Sequence, residues 1–468
     1  MLFVEPRFFA FFAVVFVAYW LLNGNGARKL LLLAASYVFY GAWDLRFLAL
    51  LWFCTLFDFA TGLAVDRATD PVRRRLLITG SVAVNLGVLF VFKYFNFFTS
   101  SFVALANSLG FSVSGPTVSI ILPIGVSFYT FQSLSYTIDI YRGRMRARTS
   151  LLDYATFVAF FPQLVAGPIV RAHDFLPQLD SARRFADVAV RPAVVLFLFG
   201  FIKKACVSDN VAPYVDAVFA APAEYSAGSI ATGAVLYAIQ IYCDFSGYTD
   251  MAIASAALLG YRLTENFRHP YFAPNIAEFW RCWHMSLSSW LRDYLYISLG
   301  GNRGGRARTL LNLMLTMVLG GLWHGASWNF VIWGALHGLA LIAHREWRRW
   351  RGPAATEMSI GRAPGVAMTF WWVCLAWIFF RATALGDALV MAKAFVTLHA
   401  EGAWLLPAGV LPVIVLLGAL HWLEKDRRIS DALLRLPGLW FPAAAGGAAG
   451  LALAFVPLSY RPFIYFQF

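Results

Sequence analysis

Apolar residues in this chain come in long unbroken runs separated by short polar or basic connections. Continuous runs of this kind predict membrane helices, whereas a barrel would show alternation. Runs at residues 8–22, 30–43, 47–65, 76–98 and 119–141 open the chain. Arg28 and Lys29 follow the first run, Arg67, Arg73, Arg74 and Arg75 the third, and Arg142, Arg144, Arg146 and Arg148 the fifth. Residues 99–118 carry no charge and are rich in Ser and Gly. The alternation places the basic loops in the cytoplasm and the N-terminus outside. The first run has the look of a signal-peptide core, but it lacks a basic n-region and a small-x-small site before Asn23, so it reads as a retained span.

Beyond residue 152 the pattern changes. Residues 157–170 are apolar but broken by Pro162, Gly167 and Pro168, and a polar stretch follows at 171–191. Such a segment is either a true span or a re-entrant or interfacial piece, since broken backbone at membrane depth has to be shielded by protein. Residues 193–207 form a span with Lys203 and Lys204 near one end. The connection 208–227 holds Asp209, Asp216 and Glu224 without Lys or Arg and suits the external face. Residues 229–259 form one long span interrupted by Asp244, Ser246, Tyr248, Thr249 and Asp250. Residues 275–299 mix Glu278, Arg281, His284, Arg292 and Asp293 with aromatics, which predicts an amphipathic helix lying in the cytoplasmic interface. A flexible basic turn, GGNRGG at 300–305, leads to residues 309–344. These form a helical hairpin or two tilted half-helices, with breaks expected at Gly320, Gly321 and Gly325. Spans at 366–380, 404–423 and 439–456 complete the chain, with Lys425, Arg427 and Arg428 between the last two.

The pattern therefore predicts an all-α polytopic membrane protein with ten to twelve spans and both termini outside. It reads as one membrane-embedded domain over residues 1–468, with its motif-bearing core at 122–344 and peripheral spans at 8–98 and 366–456. The absence of an internal repeat counts against a transporter of the inverted-repeat kind.

Composition agrees: 60% of residues are hydrophobic and 13% charged, against about 25% charged in a soluble domain. The formal net charge of +13 would suggest nucleic acid in a soluble protein. Here the arginines fall in loops between apolar runs, so nucleic acid is not expected as a partner. The five cysteines, Cys54, Cys206, Cys243, Cys282 and Cys374, show no CxxC spacing and read as small packed side chains.

Histidine marks the candidate chemistry. His284 and His324 each follow a tryptophan, Trp283 and Trp323, and His324 lies inside an apolar run. An ionisable group there is costly and therefore a functional candidate. It is either a general base able to take a proton from a hydroxyl or a core histidine bonded between helices. His284, in an interfacial stretch, needs no special explanation. His337 and His344 share a helix side but lack the acidic or thiol neighbours of a metal site, and no metal is expected. His173, His269, His399 and His421 read as interfacial or packing residues. The cluster Asp244, Ser246, Tyr248 and Asp250 either positions a polar substrate or forms a buried structural network. Six residues separate its two aspartates, which an unbroken helix would put on faces well apart, unless Gly247 alters the path. Ser246 lacks the strand–turn–helix setting of a nucleophile elbow. The 300–305 turn is a weak phosphate signal in which Asn302 and Arg303 could hold a carrier phosphate.

Six stretches carry a resemblance. They are LPIGVSFYTFQSLSYTIDIYRG at 122–143, DYATFVAFFPQLVAGPIVR at 153–171 and IYCDFSGYTDMAIASAALLGYRLTENFRHPY at 241–271, then FWRCWHMSLSSWLRDYLYISLGGNRGG at 279–305, GGLWHGASWNFVIWGALHG at 320–338 and RPFIYFQF at 461–468. Together the chain resembles the membrane-bound O-acyltransferases, and within them the bacterial alginate O-acetyltransferase branch. The teichoic-acid D-alanylation branch shares several of the stretches. Cys282, between Arg281 and Trp283, is a substitution without an evident reason. The resemblance implies that His324 matches the family's essential histidine and His284 its second active-site histidine. It also implies a ring of helices around a thinned centre, in which a central tunnel brings the acyl donor to His324 from the cytoplasm and the acceptor from outside.

On this reading the chain is an O-acetyltransferase of the bacterial inner membrane. It carries acetyl from a cytoplasmic thioester, acetyl-CoA or another, toward an exported polysaccharide such as alginate, through a periplasmic acetyltransferase of the SGNH-hydrolase type. No bound cofactor is expected. His324 and His284 are the catalytic candidates. Trp283, Trp323 and Asn329 are expected to shape the tunnel. Arg281, Arg292 and Arg303, with Asp293 and Asn302 beside them, are expected to draw the anionic donor, and Asp244, Ser246 and Tyr248 to meet substrate. Two alternatives stand. D-alanyl transfer to teichoic acid requires an acyl carrier protein, and a proton-coupled transporter or flippase of a lipid-linked sugar would use the histidines as a relay.

Overall fold

The computed structural model describes residues 1–115, 120–352, 362–405, 410–457 and 461–464. Ser119 of the expected fifth span, residues 406–409 of the expected 404–423 span and residues 465–468 of the last motif lie outside the described residues. All elements among the described residues are helical, with one isolated bridge between Tyr225 and Ala403. Three helices there are long and apolar enough to cross a membrane by length and composition: Arg46–Arg67, Pro71–Ser108 and Arg362–Arg381. Pro6–Leu21 and Trp440–Leu453 are shorter apolar helices. The chain divides into two compact units, Met1–Val190 with Ala252–Thr264, and Arg191–Met251 with Glu265–Phe468.

In the first unit the expected 76–98 span runs on to Ser108 through a π-helical turn at Phe90–Tyr94. The uncharged stretch from Thr99 is therefore helical for ten residues rather than a loop, because Phe98, Phe102 and Leu105 give it an apolar outer surface. Val126–Tyr141 is buried at every position but Ile138 and Tyr141. Its Ser, Thr and Gln side chains would have no partners in lipid, so it lies inside the protein. Asp58 is fully buried and accepts hydrogen bonds from Ser81 at 2.9 Å and Asn85 at 3.0 Å, while the Ser81 and Thr137 hydroxyl oxygens lie 3.1 Å apart. The interrupted segment 157–170 is two short helices, Leu151–Ala159 and Phe161–Leu164, then coil, and residues 153–170 are all buried. Protein shields this broken backbone, as its Pro and Gly require.

The second unit holds the histidine-rich segments. Ala227–Leu258 is one unbroken helix, and the part up to Met251 belongs to this unit. Gly247 does not interrupt it. A Cβ there would lie 2.6 Å from the Gly200 carbonyl, so this glycine allows close helix crossing instead. Residues 309–344 form the hairpin, as helices Gly305–His324 and Trp328–Arg351. The expected breaks at Gly320 and Gly321 are absent, and the chain turns only at residues 325–327. Gly321 and Gly334 lie at the helix contact, where a Cβ would meet the Phe330 carbonyl at 2.2 Å and the Met317 carbonyl at 2.4 Å respectively. Small residues let membrane helices approach closely, and here they hold the register that brings His324 to Trp333. Gly334→Val is expected to force the helices apart and lower the amount of folded protein, read as membrane level and thermal midpoint. An unchanged midpoint would contradict the close-packing role. Leu385–Thr397 and Asp209–Ala220 are helices that the hydrophobic runs did not indicate.

Candidate active site

The region expected as one amphipathic helix at 275–299 is broken in the structure. Helices Ile276–Cys282 and Met285–Trp290 flank Trp283 and His284, and a π-helical stretch follows at Leu291–Tyr296. Aromatic residues lie on several sides of the segment, so it buries Phe279, Trp283, His284 and Leu287 rather than resting one face on lipid. His284 sits at φ 42°, ψ 56°, a left-handed conformation that is uncommon outside Gly and that His, Asn and Asp adopt more often than other residues. Asn266 fixes this turn: its carbonyl accepts from the Met285 N–H at 2.9 Å and its Oδ1 from the Ser286 N–H at 3.2 Å. At this turn the imidazole is fully buried, edge-on to Phe245 at 4.7 Å between ring centroids. Neither His284 ring nitrogen has a hydrogen-bond partner among the described residues.

His324 ends the first hairpin helix and is 3% exposed. Its ring lies 5.0 Å from Trp323, 5.0 Å from Trp333 and 5.1 Å from Phe380. Trp323 in turn lies 6.1 Å from His284, so one indole links the two catalytic candidates. Trp333 continues the series to His337 at 4.7 Å, and His337 stacks on Phe279 at 6.0 Å with 6° between planes. Trp377 packs on both Trp283 at 5.0 Å and Trp333 at 5.9 Å. The Asn329 side chain donates to the Ala382 carbonyl at 2.7 Å, tying the second hairpin helix to the end of Arg362–Arg381. Among the described residues no three His, Cys, Asp or Glu side chains converge as a metal ion would need.

His284, Trp283, Trp323, His324 and Asn329 are thus brought together. Asn302 and Arg303 are not: the 20-residue helix puts about 30 Å between its foot and His324. Asn302 accepts from Tyr296 at 2.5 Å. Arg281 is exposed, and Arg292 pairs with its neighbour Asp293 at 2.7 Å. Asp244 is held inside the protein: its two oxygens take Lys204 at 2.6 Å and the Ile464 N–H at 2.8 Å. Lys203 donates to Ser246 at 3.0 Å and pairs with Asp250. Consecutive lysines thereby reach the two helix faces that carry the two aspartates. Tyr248 packs on Phe463 at 4.9 Å. Among the other histidines, His173 pairs with Asp139 at 3.1 Å, while His269 and His421 lie ring to ring at 4.7 Å.

From sequence His337 is weighed only as a metal ligand with His344, and Trp333, Trp377 and Phe380 are not assigned to the site. The four-residue spacing of Trp333 and His337, which puts both on one helix face with the glycines, was the available signal. Chemically, a buried imidazole among aromatic rings can exchange a proton with a hydroxyl while bulk water is excluded. His284→Asn is expected to keep the left-handed turn, which Asn tolerates, while removing the imidazole. Activity should then fall with membrane level unchanged. Unaltered activity would remove His284 from the chemistry.

Residues 32–384 match the family description "MBOAT, membrane-bound O-acyltransferase family", a match that runs through both compact units. The chain is 43% identical over 413 residues to the "Probable alginate O-acetylase AlgI" of Azotobacter vinelandii, covering 87% of this chain and 79% of that protein. It is 35% identical over 432 residues to the "Peptidoglycan O-acetyltransferase" of Helicobacter pylori, covering 85% and 80%. Similarity to the "Teichoic acid D-alanyltransferase" of Streptococcus thermophilus is 29% over 248 residues, covering 50% and 59%.

Proposed function

We infer, since this chain belongs to the membrane-bound O-acyltransferase family, that it carries acetyl from a thioester donor on the cytoplasmic side of a bacterial inner membrane toward an exported polysaccharide of the alginate class. The chain is a membrane O-acyltransferase, and the inference concerns what it moves and to what. The observation that carries it is the burial of His324 at the hairpin tip, linked by Trp323 to His284. In the proposed step the His324 imidazole takes the proton of an acceptor hydroxyl while the hydroxyl oxygen bonds to the thioester carbonyl carbon. The tetrahedral intermediate breaks its C–S bond, and the leaving thiolate takes the proton back from the imidazolium. The Trp283 and Trp333 indole N–H groups are buried without partners among the described residues and are suited to donate to carbonyl or oxyanion oxygen in this setting. His284 orients the donor. The acceptor hydroxyl belongs to a periplasmic acetyltransferase of the SGNH-hydrolase type, which hands acetyl to the polymer.

The Helicobacter relative, similar across 85% of the chain, favours a second reading in which peptidoglycan is the final acceptor. Restoring the chain to cells deleted for it should return acetyl to the exported uronate polymer and leave peptidoglycan acetylation unchanged. Recovery in peptidoglycan alone would replace the first reading with the second. D-alanyl transfer would instead require a small acyl carrier protein to copurify, and the relative named for that activity matches half of the chain. A proton-coupled transporter predicts flux without acyl transfer.

A further inference from the structure

At the end opposite His324, the hairpin carries a concentration of arginine that the acyl-transfer step does not use. Arg345, Arg348, Arg349 and Arg351 are exposed on the last turns of Trp328–Arg351. Arg306 and Arg308 are exposed at the start of Gly305–His324. Glu346 is the only carboxylate in the sequence of these two feet, residues 302–308 and 343–352, and it is bound to Arg306 at 2.5 Å. Beside the arginines, Trp347 is 44% exposed and Trp350 76%. The Arg351 guanidinium lies 4.6 Å from the Trp347 ring and 5.8 Å from the Trp350 ring.

We propose that the foot of this hairpin is a binding surface for the phosphate headgroups of anionic phospholipids. Four arginines in the last seven residues of Trp328–Arg351, next to the apolar run 338–343, make a juxtamembrane basic cluster of the kind that lies at headgroup level. Exposed indoles favour that level, because one edge is polar and the body apolar. A soluble anionic partner would give no reason for two tryptophans to stand out beside the arginines, whereas a lipid surface takes both. Guanidinium groups bind phosphate through paired N–H donors, and a guanidinium laid on indole loses less hydration than one in open water. A lipid phosphate shared between the feet would act alongside the Arg306–Glu346 pair and the Arg345–Asn302 contact at 3.5 Å. It would hold the register of the two helices whose far end presents His324.

The test uses the full chain in vesicles of phosphatidylcholine mixed with phosphatidylglycerol, with no acyl donor present. The retained lipid is measured after detergent extraction and purification. The wild-type chain should retain phosphatidylglycerol in several-fold excess over its share of the vesicle, and added salt should reduce the excess. Arg348→Gln with Arg349→Gln and Arg351→Gln should lose it, at about fivefold per arginine for a cation near an anionic surface. The corresponding triple lysine variant should keep most of it, which separates loss of charge from loss of fold. No excess in the wild-type chain, or an equal excess in the glutamine variant, would overturn the proposal. Since no acyl transfer is measured, either failure leaves the acyltransferase reading untouched.

Discussion

His324→Ala is expected to abolish acetylation of the exported polymer while the protein remains in the membrane. A positioned general base contributes about 10²–10⁴-fold to rate, and no other imidazole occupies the same place. His284 lies beyond Trp323 and His337 beyond Trp333, so neither ring substitutes for His324. Loss of the imidazole also removes packing against Trp333 and Phe380, so membrane level has to be read in parallel. His337→Ala removes a ring of the same size from the same cluster. It serves as the comparison for packing loss, and should lower stability about as much with a smaller loss of acetyl. Equal loss of acetyl at equal protein level in both variants would argue that the cluster, and not the His324 base, is what activity requires.

The largest stability effect is expected at Lys204. Its side chain is 2% exposed, and its ammonium lies 2.6 Å from Asp244 and 2.7 Å from Asp209. Removing one member of such a group leaves buried charge uncompensated, at a cost of about 3–5 kcal/mol. Lys204→Met strands two carboxylates, and Asp244 also anchors the Ile464 N–H near the chain end. Adding Asp209→Asn and Asp244→Asn to Lys204→Met should recover much of the loss, since amides need no counter-charge. Lys203, whose side chain is 22% exposed against Asp250 at 21%, is less deeply buried and has one carboxylate partner, and Lys203→Met should cost less than Lys204→Met. Thermal unfolding of the purified variants measures the difference. Equal shifts at Lys203 and Lys204 would show that burial does not set the cost.

Much of this architecture was legible because membrane helices advertise themselves through length and apolarity, and because His324 is costly where it stands. The hairpin at 309–344 followed from its two apolar halves. What stayed hidden was tertiary. Gly320 and Gly321 look like breaks in one dimension, and only the partner helix shows that Gly321 is a contact point. The stretch at 275–299 has the polar content of an interfacial helix, but its aromatics pack inward once His284 takes a left-handed turn that Asn266, nine residues before the segment, holds in place. Asp244 and Asp250 stood out as polar groups in a span. Their counter-ions, Lys203 and Lys204, lie on another helix, so spacing alone could not distinguish a substrate site from an ion network. The link from His324 through Trp333 to His337, with Phe380 against His324 and Trp377 against Trp333, draws on three helices and has no signature in any one alone.

The most direct test of the central claim is acyl transfer by the purified protein in sealed vesicles. A thioester labelled in its acetyl carbon is supplied on the face that carries the arginine-rich feet, and a hydroxyl acceptor on the other. Labelled acetyl ester should form on the acceptor side with the wild-type chain, and none with His324→Ala. Ester formation that persists in His324→Ala, or a proton flux with no ester in the wild-type chain, would contradict the account.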